Sequence, residues 1–182
     1  MKKSILLIAA GLILASCCGK PSGEFAFEDV PFSVIPNPAS VTLGEGFFEI
    51  TGADFYVDEA LGAEGVEVVR DFAKRLRKTS GYCNRVRKGS PAGFGQGVRF
   101  VCAEAGESPD AYTLHIGEDG IIASASTKRG LLNAVYTMQQ MLPASFFAKD
   151  TKGQRYRLQY ADIADCPRFA YRGVLIDSGR HF

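Results

Sequence analysis

Between residues 65 and 80, Val66, Val69, Phe72, Ala73 and Leu76 recur at the spacing of one helix face, while Arg70, Asp71, Lys74, Arg75 and Lys78 fill the other. Such a stripe is satisfied only by an amphipathic helix packed against a second layer, so the chain must supply that layer. The basic last turn suits the negative end of the helix dipole, and Gly81 is placed to take the left-handed conformation that stops the helix. The basic face reads as a solvated surface.

The second layer is legible as short strands. Residues 32–35, 47–50 and 54–57 are strand-like runs separated by Pro36-Asn37-Pro38 and Gly44-Glu45-Gly46. After a glycine-rich connection come 98–102, 112–116 and 121–125. The last two form a hairpin candidate whose turn is Glu118-Asp119-Gly120, with Gly120 able to take positive φ. Alternation in 112–116 sets His115 opposite the apolar face, where it faces solvent or a local partner. Ser126 or Thr127 can cap a second helix with the stripe Leu131, Ala134, Val135, Met138 and Leu142, ending at Pro143. That stripe is core. The fold class expected is α+β, an antiparallel sheet with two amphipathic helices.

The N-terminus is of another kind. Lys2 and Lys3 precede an apolar run over 5–14, the length of a signal-peptide core and too short to span a bilayer. Leu14-Ala15-Ser16-Cys17 resembles the bacterial lipobox, which implies lipid attachment at Cys17 and a Gram-negative-type envelope, in the outer membrane. Residues 1–16 are then a signal peptide and 17–31 a tether. Cys18, Cys83, Cys102 and Cys166 show no metal-binding spacing, and no required disulfide is expected, with Cys102 a buried free thiol. A formal net charge of +1, with no basic cluster flanked by exposed-looking aromatics, gives no footprint for a polyanion, and nucleic acid is not an expected partner. No metal or organic cofactor is implied, and oligomeric state is unspecified.

Near the C-terminus the pattern changes. Asp165-Cys166-Pro167-Arg168-Phe169 is boundary-like, and Arg172-Gly173-Val174-Leu175-Ile176-Asp177 is continuously apolar, as in a strand buried on both faces. A lone strand of that kind cannot satisfy its own edges. The division expected is an α+β domain over 32–160 and the start of a further unit over 161–182.

Two stretches resemble β-N-acetylhexosaminidases of glycoside hydrolase family 20. Ala111-Tyr112-Thr113-Leu114 through Gly120-Ile121, with Ala125, Gly130-Leu131 and the helix to Leu142-Pro143, is similar to the small α+β domain ahead of their catalytic barrel. Residues 165–182, ending Asp177-Ser178-Gly179-Arg180-His181-Phe182, resemble the first strand of that (β/α)8 barrel, here truncated. The resemblance implies that Arg180, at the C-terminal end of the strand, hydrogen-bonds hydroxyls of a terminal sugar. Asp177 and His181 would orient it.

The chemistry so implied is retaining hydrolysis in which the substrate's own 2-acetamido carbonyl attacks the anomeric carbon, assisted by an Asp-Glu pair late in the barrel. No such pair stands in this sequence: Asp58-Glu59 precedes the first helix and Glu118-Asp119 belongs to a turn. The 182 residues are thus expected to lack catalysis alone. The expected ligand is a glycan ending in N-acetylhexosamine, bound through the barrel, with the membrane reached through the N-terminal lipid. Two alternatives stand beside this: a noncatalytic lipid-anchored binding or assembly module, and the leading domain of another exported glycosidase.

Overall fold

The computed structural model describes residues 27, 30–89, 96–104, 108–148, 153–169, 173–175 and 179. Seven strands form one sheet: β1 (Ser40–Glu49), β2 (Phe55–Val57), β3 (Val86–Lys88), β4 (Val98–Cys102), β5 (Tyr112–Gly117), β6 (Gly120–Ala125) and β7 (Arg157–Asp165). Two helices, α1 (Gly62–Ser80) and α2 (Lys128–Gln140), cover one face. Both helical stripes are buried as their periodicity requires, and Gly81 ends α1 at φ 78°.

The order across the sheet is β1-β7-β5-β6-β4-β2-β3. Pairs β1–β7, β7–β5 and β5–β6 are antiparallel, whereas β6–β4, β4–β2 and β2–β3 are parallel. The expected wholly antiparallel sheet is therefore corrected to a mixed one. The reason is the connection: α1 carries the chain from β2 back to the same end of the sheet, and a helical crossover returns a strand in parallel. The β5–β6 hairpin has Gly117 opposite Gly120, and its tight turn holds Gly120 at φ 130°.

Residues 32–35 are not a strand; they run as irregular backbone along α2, where the Ile35 amide donates to Gln140 Oε1 at 2.9 Å. β7 runs on to Asp165, past the boundary placed at 160, because its residues pair with β1 and β5 along its length.

The core lies between sheet and helices. Phe55 of β2 stacks on Phe72 of α1 with ring centroids 5.8 Å apart and meets Phe100 of β4 edge-on at 5.6 Å. Phe146, in a 3₁₀ turn after α2, continues this cluster to Phe72 and Tyr156. Each such pair adds about 0.5–1.5 kcal/mol beyond simple burial. Thr127 caps α2 by accepting from the Gly130 amide at 3.2 Å, and Gly130 lets the helix lie against β5, since a Cβ there would stand 2.4 Å from the Ala111 carbonyl. The opposite face carries exposed Thr113, His115 and Asp162.

Candidate functional site

Cys17, Asp177, Arg180 and His181 lie outside the described residues. Of the expected barrel strand, residues 173–175 are described. They belong to no strand, and Val174 and Leu175 are 88% and 95% exposed. Among the described residues no strand pairs with this run, so it has no hydrogen-bond ladder to join, as expected of a first strand whose packing partners are missing.

What the fold does organise is the face from which this segment departs. β7 ends at Asp165, whose carboxylate accepts from the Ala39 amide at 3.1 Å and ties the departing chain to the entry of β1. Beyond it, Arg168 and Phe169 line a cleft of about 500 Å³ together with Ile35, Tyr136 and Gln140. Ile35, Tyr136 and Phe169 are exposed there, so the cleft wall is largely apolar.

Tyr112 forms the floor. Its ring is buried, and its hydroxyl lies 2.5 Å from Thr137 Oγ1. Burial raises its pKa above the ordinary phenol value; the Thr137 hydrogen bond lowers it in part, and the charge of Asp165 raises it again. The phenol is therefore held protonated, as a bracing group between β5 and α2.

Several other charged side chains near the sheet are paired. Arg155 makes a forked contact with Glu49, Nε to Oε1 being 2.6 Å, and Arg129 binds the Asp110 carboxylate. His115 Nδ1 lies 2.5 Å from Asp162 Oδ1, the local partner expected for it. A histidine–carboxylate pair is part of a hydrolytic relay, but here both residues are exposed on the open sheet face, and the other register neighbour of His115 is Ile122, which is no nucleophile. Among the described residues no group of acids, histidines and cysteines could hold a metal. Among the described residues the arrangement packs and presents a segment.

Cysteine usage differs from expectation. Cys83, in the turn between α1 and β3, is disulfide-bonded, whereas no required disulfide was expected. Cys102 and Cys166 are free, and Cys102 is half-buried. Sequence reasoning also missed β3, β7 and the role of Asp165. Ala161 and Ile163 carried a period-two signal for β7, but the adjacent Leu158 lies out of phase with them although all three are buried.

The profile of glycosyl hydrolase family 20, domain 2, matches residues 32–166. β-Hexosaminidase A of Caenorhabditis briggsae is 37% identical over 73 residues, 40% of this chain and 12% of its own length. N,N'-diacetylchitobiase of Vibrio harveyi is 28% identical over 159 residues, 87% of this chain and 16% of its own. The solved structure of the family 20 β-N-acetylhexosaminidase from Streptomyces coelicolor A3(2) superposes with a TM-score of 0.69 at 32% identity, over 80% of this chain and 28% of that one. The chain thus spans less than a third of the relatives it matches. With the profile running from the chain's entry beside α2 to the end of β7, the chain belongs to glycosyl hydrolase family 20, by way of that family's second domain.

Proposed function

We propose that this chain is the N-terminal part of an exo-acting β-N-acetylhexosaminidase that removes terminal N-acetylglucosamine or N-acetylgalactosamine from glycans. The family match over residues 32–166 carries the reading, and the β-hexosaminidase and chitobiase relatives support the substrate class. The α+β domain acts as a scaffold ahead of a catalytic barrel of about 250 residues. The exposed Val174 and Leu175 favour this over a self-contained binding module, which gives such a segment no role.

In this reading the substrate's acetamido oxygen attacks the anomeric carbon while a glutamic acid of the barrel protonates the leaving oxygen, and a neighbouring aspartate orients the acetamido group. Both acids lie outside this chain, so the 182 residues alone are inactive. Arg180 donates to sugar hydroxyls, with Asp177 and His181 orienting it. Cys17 carries the lipid that holds the protein in the envelope.

The test is hydrolysis of a chromogenic N-acetylglucosaminide by the protein extended through the coding sequence beyond Phe182, beside the 182-residue chain. The extended protein should be active and the shorter one silent. Arg180→Ala should lower kcat/KM about 10- to 150-fold, the loss of charge-assisted hydrogen bonds of roughly 1.5–3 kcal/mol. Cys17→Ala should shift the activity from the membrane to the soluble fraction. No barrel-length continuation, or undiminished kcat/KM in Arg180→Ala, would sink the corresponding assignment.

A further inference from the structure

Charge is distributed very unevenly over the chain. Eight of its 21 basic residues and one of its 20 acidic residues lie between 70 and 88, so this segment carries +7 while the rest of the chain carries −6. The fold gathers these residues along one edge. Arg70, Lys74, Arg75, Arg77 and Lys78 occupy the outer face of α1, and α1 packs over β2 and β3. Arg85, Arg87 and Lys88 come from β3 and its entry; β3 is one of the two edge strands, where Lys88, beside Val57, is on the helical side and Arg87, beside Tyr56, on the open side, so the charge flanks the edge from both faces.

All eight are exposed. Arg87 alone among them has an acidic partner within 4 Å among the described residues, Asp54 at 3.4 Å. The exposed acids of α1 are Glu64, Glu67 and Asp71, and Glu64 faces Lys128 of α2 at 3.9 Å. The contrast with Arg129 and Arg155, both spent on carboxylates, is plain. Arg70 with Lys74, and Lys74 with Lys78, stand four residues apart on one helix and repel each other. Only the last turn gains from the helix dipole, so the fold itself does not compensate the rest of the stripe.

A second observation orients this edge. Phe27, the first described residue, lies against the guanidinium groups of Arg155 and Arg157, 5.1 and 4.6 Å from its ring centroid. Arg155 lines one cleft together with Tyr82, and Tyr82 directly follows the C-terminal stop of α1. The chain arriving from the N-terminus therefore meets the fold at the end of the molecule where the basic last turn of α1 sits.

We infer that the α1–β3 edge is a docking surface for the anionic headgroups of a lipid membrane, holding the domain edge-down on the bilayer. The surface acts without an acyl chain and is independent of the hydrolase reading. Each basic residue near an anionic bilayer strengthens attachment about fivefold. The attraction is confined to about 10 Å at 0.1 M salt.

The test uses residues 17–182 made by cell-free synthesis, so that neither a lipid nor the apolar run over 5–14 contributes. Its partition into phosphatidylcholine vesicles is compared with that into vesicles also containing phosphatidylglycerol. The anionic vesicles should be preferred, with the preference vanishing by about 0.5 M salt. Lys74→Gln/Lys78→Gln/Arg85→Gln should reduce the preference about 100-fold. Lys128→Gln/Arg168→Gln should leave it nearly intact, and circular dichroism of both variants reports retained folding. Three outcomes overturn the proposal: equal partition into both vesicle types, an unchanged preference in the triple variant, or capture by heparin without vesicle binding.

Discussion

β7 and residues 173–175 are both short apolar stretches late in the chain, yet they end in opposite states. β7 sits between β1 and β5, with Leu158 and Ile163 almost fully buried, while Val174 and Leu175 stand in solvent. The sequences differ little in apolar content. What differs is the supply of neighbours: β7 has a hydrogen-bonding strand on each side and a helical layer beneath, and the later segment has neither. Strand sequence proposes an element; partners decide whether it exists.

The strongest way to break the contrast is to empty β7. Leu158→Ala removes a side chain with no solvent exposure and should cost about 2–5 kcal/mol, read as a lower urea midpoint at unchanged slope. A loss below about 1 kcal/mol would mean that the strand holds by its ladder alone. Second in size is the brace between β5, the neighbour of β7, and α2, made by the Tyr112 hydroxyl and Thr137. Because the phenol pKa is raised, the folded state holds its proton more tightly than the unfolded one. Its contribution is therefore complete below about pH 10 and is lost as pH rises through the folded value. Tyr112→Phe should cost about 1 kcal/mol at neutral pH and flatten the fall in Tm above about pH 10. An unaltered alkaline slope would place that loss elsewhere. Smallest of all, Leu175→Asp should change the stability of this chain by less than about 0.5 kcal/mol. The same substitution in a protein extended through the barrel should be destabilising by several times more, and equal effects in both would end the comparison.

The elements legible beforehand were those whose information is local. The stripes Val66 to Leu76 and Leu131 to Leu142 specify helices through spacing alone, Gly81 and Thr127 mark their ends, and Gly120 marks the hairpin. Strand direction was not legible. That β2, β3, β4 and β6 run parallel depends on the end of the sheet at which each connection delivers the chain, a relation between segments that alternation does not encode. Residues 32–35 had a strand composition but found the side of α2 in place of a sheet edge. Of the site, the segment bearing Arg180 was legible only through its resemblance to a family, because a sugar-binding arginine needs a barrel mouth to distinguish it from any other surface cation. The cleft at Asp165 and Phe169 was missed because its walls come from three distant parts of the chain.

The position of β7 has a temporal consequence. β1 is among the first parts of the domain to leave the ribosome, yet its ladder partner is the last of the domain's described strands to be made, with Ser40 opposite Ala164. Through most of synthesis the nascent β1 carries unpaired backbone groups, a template for wrong pairing between neighbouring chains. The register break between Leu43 and Phe47, with Tyr160 later folding over Gly46, interrupts that template in the middle. An irregularity in the mature sheet thus guards the unfinished one, until the closing strand emerges.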